Sequence, residues 1–264
     1  MNAINPEATI SEQLDASSSE SAKQVYNFAW QHLKAATTFR DHAATLENSN
    51  AELGLGAFFE NIRSYVSGTI MSATACLEAH INELFISPHC RLKPMLTNFE
   101  ADFWGDRGIE RKSILEKYKL ALEMIGATAL DQNSKICRDA WGLIEYRNAL
   151  VHYKPTWDPV RNRKIELVKV LNGRYKLSPF LDSRADFVTM QSMSAGCADW
   201  AVGTVRVWRS GAPSSLQACI KLIDGKCQRQ TNQCEAVTRC ELCLMPLAHV
   251  MALIEIHCNV ILRN

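Results

Sequence analysis

Apolar residues along this chain recur mostly at steps of three and four, and that period assigns most of its length to helices. A Ser cluster at 17–19 suits the N-cap of a helix beginning near Glu20. Val25, Ala29, Leu33, Ala36, Ala43 and Leu46 then follow one stripe, until ENSNAELGLG (47–56) interrupts it. A second stripe, Phe58, Ile62, Val66, Ile70, Ala73, Leu77, Ile81 and Leu84, predicts a long helix over 57–87, bounded by Pro88 and Pro94. Residues 88–110 read as a loop holding the partly buried Phe103-Trp104 pair. A third helix is expected near 111–129, with Ile114, Tyr118, Ala121, Leu122 and Ile125 inward. The fourth starts after Asp131 or Ser134 and ends before Pro155, because the residue preceding a proline is pushed out of the helical region. The fifth, about 183–209, carries Phe187, Met190, Cys197, Ala201, Thr204 and Trp208 and stops at Gly211-Ala212-Pro213.

Between the fourth and fifth helices the period changes. RKIELVKVLNGRYKLSPF (163–180) alternates around Asn172-Gly173, a strong hairpin signal. The expected fold is therefore all-α: an up-and-down bundle of about five long helices with a small β-hairpin inserted after the fourth. Residues 1–17 read as a disordered N-terminus, 18–211 as the helical domain, and 212–264 as a Cys-rich appendage.

Composition narrows the class. With 264 residues and 47% hydrophobic content the chain affords a sizeable core. A net charge of +1 leaves no global basic field, so an anionic partner has to be met by a local cluster. The polar start lacks a secretory pattern, and the most apolar stretch, 242–262, is broken by Pro246, His249, Glu255, His257 and Asn259. A soluble cytoplasmic protein without a membrane span is expected. Of the ten cysteines, Cys76, Cys90, Cys137 and Cys197 are scattered singly, as small core residues are, and the other six crowd into 219–258. Cys240-x2-Cys243 has zinc-knuckle spacing, but no second C-x2-C follows, so neither metal nor cofactor is expected.

Candidate chemistry concentrates at the end of the fourth helix, EYRNALVHYKP (145–155). Ile136, Ala140, Leu143, Arg147 and Leu150 share one face, and Arg147 alone is charged. Three explanations stand side by side: the arginine snorkels, it pairs with Glu78 or Glu83, or it faces a groove and meets an anion. His152 lies five residues on, about 140° round an ideal helix. Because Pro155 ends the helix nearby, His152 is free to turn back towards Arg147, with Asn148 between them to orient either. Arginine offers a rigid fork for phosphate oxygens, and histidine moves protons near neutral pH. His80 and the tryptophans Trp141, Trp200 and Trp208 read as core packing.

RNALVH (147–152) resembles the R-[polar]-x3-H motif of HEPN domains, a helical superfamily of nucleotide- and RNA-processing proteins. SATACLEAHINELF (72–85) is similar to the second long helix of that family, and CADWAV (197–202) to its last, so the resemblance covers roughly 20–210. It implies a homodimer that sets two Arg/His pairs together in a basic cleft, and metal-independent endoribonuclease activity. Carried over by the motif, Arg147 and His152 form the catalytic pair and Asn148 orients; Glu78 and Tyr153 are further candidates for support beside them. One branch of the family carries a tyrosine two residues after the histidine; here Lys154 stands at that position and Tyr153 one residue earlier. Lys154, Arg161, Arg163 and Lys164, with Lys169, Arg174 and Lys176 beyond, read either as a solvated face or as contacts to an RNA backbone. The resemblance implies RNA as partner, with an antitoxin or nucleotidyltransferase beside it in a toxin or phage-defence setting. The alternative is a non-catalytic HEPN-like dimer that binds RNA, nucleotides or protein.

Overall fold

The structure is a computed structural model that describes residues 28–87, 90, 92–153 and 164–211. Among these it contains six α-helices, joined by short 3₁₀ and π turns, and no strand. They are α1 (Phe28–Ser49), α2 (Phe58–Ile86), α3 (Ile114–Met124), α4 (Lys135–Val151), α5 (Lys164–Leu171) and α6 (Ala195–Ser210). No helix among the described residues is long and apolar enough to cross a membrane. The expectations for 1–17 and for the cysteines of 219–258 fall outside the described residues.

α2 is the axis of the packing. Ile62, Val66, Ile70, Ala73, Leu77, Ile81 and Leu84 of its expected stripe are all fully buried, because α1, α3, α4 and α6 each lie against it. Phe59, Cys76 and Phe85 are buried too, so its second half is covered nearly all round. α1 contributes Leu33 and the small Ala29, Ala36 and Ala43, and it runs close along α2. In the connection to α3, Phe103 is fully buried and stacked on Phe99, while Trp104 stays half exposed at its edge. Ser113 and Glu116 form a reciprocal capping box that starts α3 later than 111. The four described single cysteines are buried and in no disulfide, as their scattering suggested.

Two expectations are corrected. The segment read as one arm of a β-hairpin is the helix α5, whose Leu167 and Leu171 are buried one turn apart on the α4 side of the core. Asn172-Gly173 ends this helix instead of turning a hairpin: Asn172 donates its N–H to the Val168 carbonyl, and Gly173 sits at φ +74°. Left-handed glycine serves a helix C-terminus as well as a hairpin turn, so the dipeptide alone does not separate them.

The other correction concerns the fifth expected helix, which begins at Ala195, not at 183. Side chains divert the backbone before that point. Asp182 accepts from the N–H of Arg184, and Asp186 accepts at 2.7 Å from the N–H of Thr189, which closes a single π turn over Phe187–Gln191.

Ser194 then caps α6 through the N–H of Cys197, and the Glu47 carboxylate accepts at 2.8 Å from the N–H of Ala195. The Ser194 hydroxyl in turn donates to the Lys176 carbonyl at 2.6 Å, which draws that strand of backbone against the first turn of α6. Gly196 leaves the room: a Cβ there would stand 2.7 Å from the Lys176 oxygen and 3.0 Å from its nitrogen. Gly196→Ala should therefore lower stability by about 1–3 kcal/mol, even though alanine is the better helix former. The urea midpoint checks this, and an unchanged or higher midpoint would show that the close approach costs nothing to relax.

Candidate functional site

On α4 the buried residues are Cys137, Asp139, Ala140, Gly142, Leu143 and Tyr146. The face expected from Ile136 through Leu150 is thus rotated slightly: Ile136 is 40% exposed, and Tyr146 takes the central place with its ring fully buried. Its hydroxyl donates to the Val188 carbonyl at 2.7 Å, tying α4 to the turn before α6. Trp141 falls outside this stripe and is exposed, whereas Trp208 is buried and Trp200 half-buried.

The rotation places Arg147 on the rim of the core, its side chain 28% exposed. Among the described residues the closest acid is Glu78 on α2, whose Oε2 lies 4.0 Å from Arg147 Nη2. The other oxygen of Glu78 stands 3.6 Å from Nζ of Lys117, a lysine on α3 that is fully buried and donates to Asn82 Oδ1 at 3.0 Å. One half-exposed carboxylate is shared by two cations, so the local balance is positive by one charge. Glu83, the other expected partner of Arg147, is buried elsewhere and accepts at 2.9 Å from the N–H of Ala29 at the start of α1.

His152 caps α4. Its N–H donates to the Asn148 carbonyl at 2.9 Å, so helical geometry persists up to it, and the residue is exposed. Asn148 donates to Glu145 Oε1 across a long 3.4 Å. Tyr153 is 49% exposed just beyond. Among the described residues no hydrogen bond joins the Arg147 guanidinium to the His152 ring, so within one chain the pair stands on one helix end as two separate groups.

Of the basic cluster, Lys154, Arg161 and Arg163 lie outside the described residues, and Lys164 opens α5. Lys169 is engaged with Glu166 at 2.7 Å. Arg174 is half-buried: it pairs at 2.7 Å with buried Asp139, which Lys135 also contacts, and donates to the Val170 carbonyl. The face read as a basic hairpin is therefore partly spent on fastening α5 to α4. Among the described residues no group of three or more His, Cys, Asp or Glu side chains is placed to hold a metal ion, and Cys240-x2-Cys243 lies beyond them.

Lys117 and Tyr146 were not singled out in the sequence. The signal for Tyr146 was present, since Leu143, Tyr146 and Leu150 are spaced as well as Leu143, Arg147 and Leu150. Set against protein-family models, curated proteins and solved structures, the chain matches none of them.

Proposed function

We propose that the chain is a metal-independent endoribonuclease of HEPN type, acting in the cytoplasm on RNA as a toxin or defence effector. Its α1, α2, α3, α4 and α6 would be the five members of the family's bundle, with α5 inserted. The reading is carried by the state of Arg147: a cation kept at the edge of the core, whose nearest acid among the described residues is 4.0 Å away and shared with Lys117, at the helix end that exposes His152. Arginine held this loosely is open to a phosphate, which it grips with two parallel bonds that Glu78 does not reach.

The chemistry is a transesterification. The ribose 2′-oxygen attacks the adjacent phosphorus, the P–O5′ bond breaks, and the products are a 2′,3′-cyclic phosphate and a 5′-hydroxyl. One imidazole takes the 2′ proton and another gives a proton to the leaving oxygen, while the guanidinium meets the charge that builds on phosphorus. One chain supplies a single exposed imidazole at this helix end, so the second comes from His152 of the partner subunit across a two-fold axis.

Incubating the full chain with a mixed RNA pool in excess chelator tests the reading. Fragments ending in 2′,3′-cyclic phosphate are expected, from a protein that is dimeric by light scattering. Cleavage that stops with chelator and returns with magnesium would overturn it. One observation favours a second reading, a non-catalytic HEPN-like module that binds RNA or protein: Arg147 and His152 make no contact within the chain. RNA bound but left intact under these conditions would select it.

A further inference from the structure

α2, the end of α4 and the Phe187–Gln191 turn enclose an open cleft of about 470 Å³. Its size falls within the range of small-ligand sites. Leu150 of α4 and Tyr153 just beyond its end, on either side of His152 in sequence, line it, and Met71 and Met193 add two thioethers. Glu60 and Arg63 of α2 line it as an ion pair at 3.0 Å.

The polar groups lean towards acceptors. Ser64 already gives its proton to the Glu60 carbonyl at 2.9 Å, and Thr189 gives its own to Asp186 at 2.7 Å. Each hydroxyl therefore meets an incoming ligand with lone pairs. The Glu60 carboxylate adds acceptors, and Arg63, whose Nη1 is bonded to that carboxylate, keeps Nη2 as a donor. An aromatic ring, polarizable sulfur, several acceptors and one guanidinium donor suit the face and edge of a nucleobase.

We propose that this cleft holds one unpaired nucleotide of an RNA strand, with its base against Tyr153 and the two methionines. The proposal rests on the ribonuclease reading and deepens it. Because the cleft shares the last turn of α4 with His152, the nucleotide it holds neighbours the phosphate to be cut. The site reads unstacked RNA: a base locked in a duplex does not enter a cleft of one-nucleotide size.

The test uses the full chain carrying His152→Ala, so that binding is measured without turnover, and fluorescein-labelled single-stranded RNA hexamers followed by anisotropy. Adding Tyr153→Ala, which removes the ring at an exposed position, should raise Kd roughly 5- to 100-fold. Ser64→Phe, also at an exposed position, fills the cleft and should do the same. With His152 intact, both changes should raise KM more than they lower kcat, and a duplex of the same sequence should be a poor substrate. If both variants bind single strands as tightly as their parent, the cleft is not the site. The two claims separate cleanly. Cleavage abolished by Arg147→Met but indifferent to both cleft variants overturns the cleft alone. Single-strand binding that both variants weaken, in a protein that cuts no RNA, upholds the cleft and overturns the ribonuclease reading.

Discussion

Arg147→Met should leave the melting temperature where it stands and reduce RNA cleavage by roughly 10²–10³-fold, the usual loss when one donor to a developing oxyanion is removed. Stability should hold because methionine keeps the apolar stem and removes a partly desolvated charge. Glu78 is not stranded by the change, since Lys117 remains 3.6 Å from its other oxygen. His152→Ala should cost roughly 10²–10⁴-fold for the loss of a general acid or base. It should be equally silent in stability, for the side chain is exposed at the helix end. The double variant should be hardly worse than the poorer single one, because groups that act on one transition state fail together. The comparison needs the melting temperature and the cleavage rate on a mixed RNA pool for all four proteins. A single variant that cuts as fast as wild type would remove that residue from the chemistry. An Arg147→Met protein that melts lower but cuts normally would assign the arginine to packing.

Acid should destabilise the fold well before its carboxylates are protonated. His80 on α2 is buried, and its Nδ1 lies 2.6 Å from the hydroxyl of Tyr118, which itself donates to the Leu77 carbonyl at 3.1 Å. The tautomer that fits is the one in which Nδ1–H donates to the tyrosine, leaving Nε2 as a bare lone pair with no hydrogen-bond partner. Protonation would add a second N–H with nowhere to go. Desolvation above all, and then the Arg209 cation, push the imidazole down from 6.5 to about 3. In the unfolded chain the same group takes its proton near 6.5, so from there down to about 3 the unfolded state binds one proton more than the native state. Stability is thus full above pH 6.5 and falls by about 1.4 kcal/mol for each pH unit below it.

Between pH 6.5 and 5 the loss is about 2 kcal/mol, or a melting temperature lower by about 4–8 °C. Glu47 opposes this trend, because its carboxyl is raised by burial, with only its bond from Ala195 acting the other way. The window from pH 6.5 down to 5 is the one to compare with and without the histidine. His80→Phe keeps the ring and leaves Tyr118 bonded to Leu77, so its melting temperature should be flat across that window. A wild-type protein that is equally flat would mean that the ring finds room or a partner for its second proton.

The long helices were legible because their signals are redundant. In α2 the stripe from Ile62 to Leu84 is buried throughout, since one continuous apolar face has one way to be covered. Ser134 caps α4 as expected through the N–H of Cys137. Where two periods fit equally, tertiary packing decided. The residues Ile165, Leu167, Val168, Val170 and Leu171 satisfy alternation and helical spacing alike, and burial of Leu167 and Leu171 selected the helix. On α4, rows through Arg147 and through Tyr146 were equally regular, and the acceptor at Val188 favoured the tyrosine. That acceptor is 42 residues away, which no local pattern records. The helix end that carries RNALVH was readable, but the expected return of His152 towards Arg147 is not found, because helical geometry persists up to its N–H. The sharing of Glu78 between Arg147 and Lys117 was not readable, because it depends on three helices meeting.

The contact between Glu47 at the end of α1 and Ala195 at the start of α6 spans 148 residues of chain. On a ribosome adding roughly 5–20 residues per second, α1 is complete about 7–30 s before the backbone it holds exists. α1 and α2 are adjacent and pack as soon as both are made, yet the side that α6 will cover stays bare for that interval. Among the described helices α6 therefore acts as the closing bolt, and slow codons between residues 86 and 195 would lengthen the time for which the pair waits open.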